Sequence, residues 1–159
     1  MSDSMKIKIV CLLLMVTIGS CDNVKNVTEQ KENGNPLEGT WKLISGTIIE
    51  KGDTIITDYT GNQSMIKIIN KTHFAFLNHD LKIRKDSTSV FVAGGGVYTL
   101  EGDQYTEYLE YCSAREWEGN TFQFTITVKG DTLTQRGTEK IENLNMERLN
   151  IEKYKKVKN

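Results

Sequence analysis

Proline, histidine and cysteine are scarce in this 159-residue chain, at one, two and three residues, and each shortage removes a class of explanation. The single proline, Pro36, leaves no room for a proline-rich spacer and serves instead as a boundary marker. His73 and His79 have no ligand spacing towards Cys112, and neither His-Glu-x-x-His nor Cys-x-x-Cys occurs, so no metal, haem or other cofactor is expected. Three cysteines do not make a disulfide framework here, because Cys11 lies in a segment expected to be removed and Cys21 has another use. A Gly-x-Ser-x-Gly elbow and a phosphate loop are also missing, which leaves Glu107 as a lone candidate base and no recognisable catalytic constellation. Charge of either sign is not in surplus: 20 basic against 21 acidic residues give a net charge of -1, so nucleic acid is set aside.

What the chain has is alternation. Thr121 to Val128 places Phe122, Phe124, Ile126 and Val128 on one face and threonines with Gln123 on the other, the period of two of a half-buried strand. Gln104 to Cys112 and Gly96 to Leu100 read as its neighbours, the latter two joined through Glu101-Gly102-Asp103, where glycine supplies the positive φ of a tight hairpin. Lys51-Gly52-Asp53 and Lys129-Gly130-Asp131 repeat that turn chemistry, and further strands are expected at Leu37 to Ser45, Thr54 to Tyr59, Met65 to Ile69, His73 to Leu77, Asp131 to Gly137 and Glu147 to Val157. No stretch of the domain carries a sustained helical period; Ser113 to Glu118 and Lys140 to Arg148 are the short exceptions. The fold class expected is all-β, an up-and-down antiparallel barrel of about 8–10 strands, since a closed barrel leaves no exposed edges.

Three parts follow in order. Residues 1–20 read as a signal peptide, with Lys6 and Lys8 before the apolar run Ile9 to Ile18, too short to span a bilayer; Met5 is an alternative start. Ile18-Gly19-Ser20-Cys21 resembles the bacterial lipobox, which implies acylation of Cys21 and a lipid-anchored protein of the cell envelope, facing the periplasm or the surface. Acyl chains contribute about 0.8 kcal/mol per buried methylene, enough to hold a chain at a membrane without a spanning helix. Residues 21–36 are polar and read as a flexible linker spanning roughly 20 Å, and residues 37–159 form the barrel domain.

Gly39-Thr40-Trp41-Lys42-Leu43 resembles the opening of lipocalins and intracellular fatty-acid-binding proteins, the calycin barrels. Together with His73-Phe74-Ala75-Phe76, the run from Gly94 to Asp103 and Tyr105-Thr106-Glu107, it looks like a family of bacterial lipoproteins with a lipocalin-like domain. The resemblance implies a lipocalin-like barrel over residues 37–157 and carries no established activity; it also implies an arginine packed on Trp41, for which Arg148 is the candidate.

On alternation, the inward face should hold Trp41, Leu43, Ile66, Ile68, Phe74, Phe76, Tyr98, Leu100, Tyr105, Glu107, Leu109, Tyr111, Phe122, Phe124, Leu133 and Gln135. Glu107 among aromatics costs several kcal/mol unless it has a partner or reaches water, and a lined cavity would supply either. The expected ligand site therefore comprises Trp41, Phe74, Phe76, Tyr98, Tyr105, Glu107, Tyr111, Phe122, Phe124 and Gln135, holding a small hydrophobic or amphipathic molecule in a monomer. Alternatives stand beside it: a filled barrel that engages a protein partner by its outer surface, or an envelope enzyme using Glu107. For single elements the bland readings are a Trp41 that plugs the closed end, a bulge at Gly94 to Gly96, a solvated loop rather than a lid at Ser113 to Asn120 with Arg115 and Trp117, and a solvated basic end at Lys153, Lys155, Lys156 and Lys158.

Overall fold

The computed structural model describes residues 34–82 and 89–158; the signal segment, Cys21 and most of the linker lie outside the described residues. Nine strands follow in order: β1 Gly39–Glu50, β2 Asp53–Asp58, β3 Gln63–Ile69, β4 His73–Asp80, β5 Phe91–Glu101, β6 Gln104–Cys112, β7 Thr121–Lys129, β8 Thr132–Ile141 and β9 Met146–Lys156. The two stretches marked as short helical exceptions each hold one 3-10 turn, Arg115–Trp117 and Glu142–Leu144.

Every pairing is antiparallel, and β9 returns to pair with β1 from Trp41↔Lys156 to Ile49↔Leu149, which closes an eight-stranded barrel of lipocalin-like architecture. The ninth strand, β2, stands outside that ring. It shares one edge of β1 with β3, pairing over Ser45 to Glu50 where β3 pairs over Gly39 to Lys42. The three Gly-Asp turns behave as their chemistry demands, with Gly52, Gly102 and Gly130 at φ of 92°, 65° and 59°.

Two irregularities decide which side chains point inward. Opposite Gly95 and Gly96 the register slips, so that Gly95 faces Tyr111 while Gly96 faces Leu109, and Glu110 is the extra residue of a bulge. A Cβ on Gly96 would lie 1.9 Å from the Tyr108 carbonyl oxygen, so only glycine admits this approach. The bulge reverses the alternation beyond it: Leu109 and Cys112 are buried, and Tyr111, expected inside, is 69% exposed on the outer wall. A second slip between Leu43 and Ser45 turns Gly46 towards the interior, where a side chain would meet the Tyr59 ring at 3.3 Å.

A third correction concerns β3. Ile66 and Ile68 were the expected inward pair, yet Ile68 is exposed, while Lys67 and Ile69 are buried. Isoleucines occupy both faces of Met65-Ile66-Lys67-Ile68-Ile69, so the apolar pattern fits either register. The lysine goes inside because its partners on other strands are there.

One end of the barrel is sealed. Trp41 is fully buried and donates from Nε1 to the Leu37 carbonyl at 2.7 Å, with Tyr98, Tyr105, Leu43 and Leu133 packed in the same cluster. Asn35 crosses this end, donating through Nδ2 to the Tyr98 hydroxyl at 2.6 Å, which in turn donates to the Asn70 carbonyl at 2.7 Å. The packed domain thus reaches back to Asn35. The cation over Trp41 is Lys156, 5.1 Å from the ring centroid, and not Arg148.

Candidate functional site

The opposite half of the barrel holds a cavity of about 340 Å³ that is partly open to solvent. Its floor is a buried ion pair. Lys67, from β3, donates through Nζ to Glu107 Oε1 of β6 at 2.5 Å and to Gln135 Oε1 of β8 at 2.9 Å. The rings of Phe74, Tyr105 and Tyr154 surround the same ammonium, their centroids 5.6 to 5.7 Å away. Burial pushes the Glu107 carboxyl above its ordinary range while the Lys67 ammonium pulls it back, and burial prevails. Beside it the Tyr105 hydroxyl is buried, and burial first, then the charge of the neighbouring Glu107 carboxylate, raise its pKa.

Above the floor the cavity has two unlike walls. On β8 and β9, alternation turns Gln135, Glu139, Arg148, Asn150, Glu152 and Tyr154 inward. Arg148 grips Glu139 Oε2 through Nε and Nη2, each at 2.7 Å, and Asn150 Nδ2 donates to the other oxygen at 2.8 Å. The Tyr154 hydroxyl donates to Glu152 Oε2 at 2.7 Å. Facing them, β6 and β7 contribute Leu109, Cys112, Phe122 and Phe124, with Phe76 from β4.

Trp117 sits over this apolar wall, its ring 5.9 Å from Phe122 and 4.9 Å from the Arg148 guanidinium. The loop that carries it is pinned: Glu118 Oε1 accepts from the Cys112 backbone N–H at 2.8 Å, and Asn120 Nδ2 donates to the Trp117 carbonyl at 2.9 Å. Ala114 and Trp117 line the cavity, while Arg115 points away with its side chain 83% exposed.

Of the residues expected at the site, Phe76, Glu107, Phe122, Phe124 and Gln135 line the cavity. Trp41 and Tyr98 belong to the sealed end, Phe74 and Tyr105 lie against Lys67 beneath the floor, and Tyr111 is outside. Sequence reading missed Lys67, Glu139, Asn150, Glu152 and Tyr154 as site residues. One signal was present: on β9 the alternate positions Arg148, Asn150, Glu152 and Tyr154 are all polar or amphipathic, while Leu149 and Ile151 fill the other face. Taken alone, that pattern puts the apolar residues inward, and only ring closure reverses it. The basic end is partly engaged: Lys155 pairs with Asp131 at 2.7 Å, lowering the pKa of that carboxyl, and Lys156 covers Trp41.

Among the described residues no group of three His, Cys, Asp or Glu side chains is arranged to hold a metal, and no helix is long and apolar enough to cross a membrane. No family model matches the chain, and no curated protein matches it.

Proposed function

We propose that this chain is a lipocalin-like lipoprotein of the bacterial cell envelope, anchored through an acylated Cys21, whose barrel binds a small amphipathic molecule. The observation that carries this reading is the pair of unlike walls around about 340 Å³ of space. An apolar body lies against Phe76, Leu109, Phe122 and Phe124, and a polar end faces Gln135, Asn150 and Glu152. A barrel built only to be filled has no need of five charged side chains turned inward, because burying charge is costly unless something is gained by it.

Native mass spectrometry of the purified protein, with organic extraction of what it carries, tests the binding role. Retention of a small amphiphile is the expected result, as is saturable binding of the neutral dye N-phenyl-1-naphthylamine with a change in tryptophan emission. A protein that carries nothing and leaves the dye unbound defeats the reading. The anchor has its own test: a fatty-acid probe should label the protein, and continued labelling of Cys21→Ala would remove Cys21 from the proposal.

A further inference from the structure

We infer that the ligand carries an organic cation, a primary or quaternary ammonium group, held against Glu152 in the cavity. The inference rests on the binding role proposed above and narrows its chemistry. Five charged side chains line the space: Lys67, Arg148, Glu107, Glu139 and Glu152. Two pairs cancel, Lys67 with Glu107 at 2.5 Å and Arg148 with Glu139 at 2.7 Å. The third carboxylate, Glu152, accepts a hydrogen bond from the Tyr154 hydroxyl and, among the described residues, has no cation within ion-pair distance. With both pairs ionised, one negative charge is left over inside the barrel.

Neighbouring groups register that charge. Burial is the main reason the Tyr59 and Tyr154 hydroxyls hold their protons more tightly, and in both the Glu152 carboxylate is the next cause. The remaining lining suits a cation as well. Tyr59, Phe76, Trp117, Phe122 and Phe124 border the same space, and aromatic faces attract ammonium groups. An anionic ligand finds both cations already engaged and Glu152 repelling it. A neutral one leaves the carboxylate partly desolvated with nothing gained. A bare metal ion is disfavoured, since the described residues hold no cluster of three candidate ligands.

The test is calorimetric titration of the purified protein with three probes of one shape: 3-phenylpropylammonium, 3-phenylpropanol and 3-phenylpropionate. The ammonium should bind about tenfold more tightly than either other probe, and Glu152→Gln should cost it about tenfold while changing the alcohol by less than about twofold. Equal or tighter binding of the propionate or the alcohol overturns the inference. So does an ammonium affinity that Glu152→Gln leaves unchanged. The ranking of the three probes on the unaltered protein decides the matter even where the variant folds poorly. If the neutral dye binds and the ammonium does not, the cation assignment fails and the binding role survives; if no probe and no dye binds, both fail.

Discussion

Trp41 and Trp117 each lie under a cation, Lys156 at 5.1 Å and Arg148 at 4.9 Å, yet they serve opposite ends of the barrel. Trp41 is fully buried on a strand, tied to the Leu37 carbonyl four residues earlier. Trp117 is half-buried on a loop, and what it covers is a cavity lined from seven strands. The difference teaches how this barrel divides its labour. Packed side chains and the Asn35–Tyr98–Asn70 hydrogen bonds seal one end, and charged and aromatic side chains from facing strands shape the other. The Lys67–Glu107–Gln135 floor separates the two halves.

The largest effect should come from the sealed end. Trp41→Ala is expected to cost about 3–5 kcal/mol in urea unfolding, as large-to-small changes in a packed core do, whereas Trp117→Ala should cost about 1 kcal/mol or less and act on ligand affinity instead. Equal losses at the two sites would break the comparison.

Lys67→Met tests the floor. It leaves Glu107 buried without its cation and should cost about 3–5 kcal/mol near neutral pH, while Lys67→Met with Glu107→Leu should be neutral or stabilising by about 1–4 kcal/mol. The pH dependence carries a definite sign. Because the folded-state pKa of Glu107 is raised above its ordinary 4.5, the folded state holds its proton more tightly than the unfolded chain. Stability from this group is then fully present below pH 4.5 and falls as pH rises through the raised value. Unfolding curves at several pH values should show the parent losing stability relative to the double variant over that window; the opposite slope would mean that the Lys67 ammonium outweighs burial.

A smaller loss is expected at the bulge. Gly96→Ala puts a methyl 1.9 Å from the Tyr108 carbonyl oxygen and should cost about 1–3 kcal/mol by forcing strands β5 and β6 apart. Tyr111→Ser, on the outer wall, should stay within about 0.5 kcal/mol and leave binding unchanged. An effect of Tyr111→Ser on affinity would place that side chain at the cavity after all.

The barrel was legible because its signals are local. Alternation in Thr121 to Val128 and three Gly-Asp turns specify strands and hairpins without reference to anything distant. β5 was read short, from Gly96 instead of Phe91, because Gly94 and Gly95 weaken a strand pattern that the sheet then supplies. The site was half legible. Phe122, Phe124 and Glu107 follow from alternation, while Tyr111 was misplaced by a one-residue bulge that flips every side chain after it. Alternation shows that Glu107 needs a partner or access to water, but a lysine 40 residues earlier on an isoleucine-rich strand gives no sign of being that partner.

By itself, then, the amino-acid order determined where the chain extends and where it turns, since each depends on neighbours within a few residues. Only the tertiary structure decided which face of β3 and β9 turns inward. That choice belongs to the closed ring: Lys67, Glu107, Gln135 and Glu152 come from four different strands, and the free energy of placing them inside depends on all of them being there together.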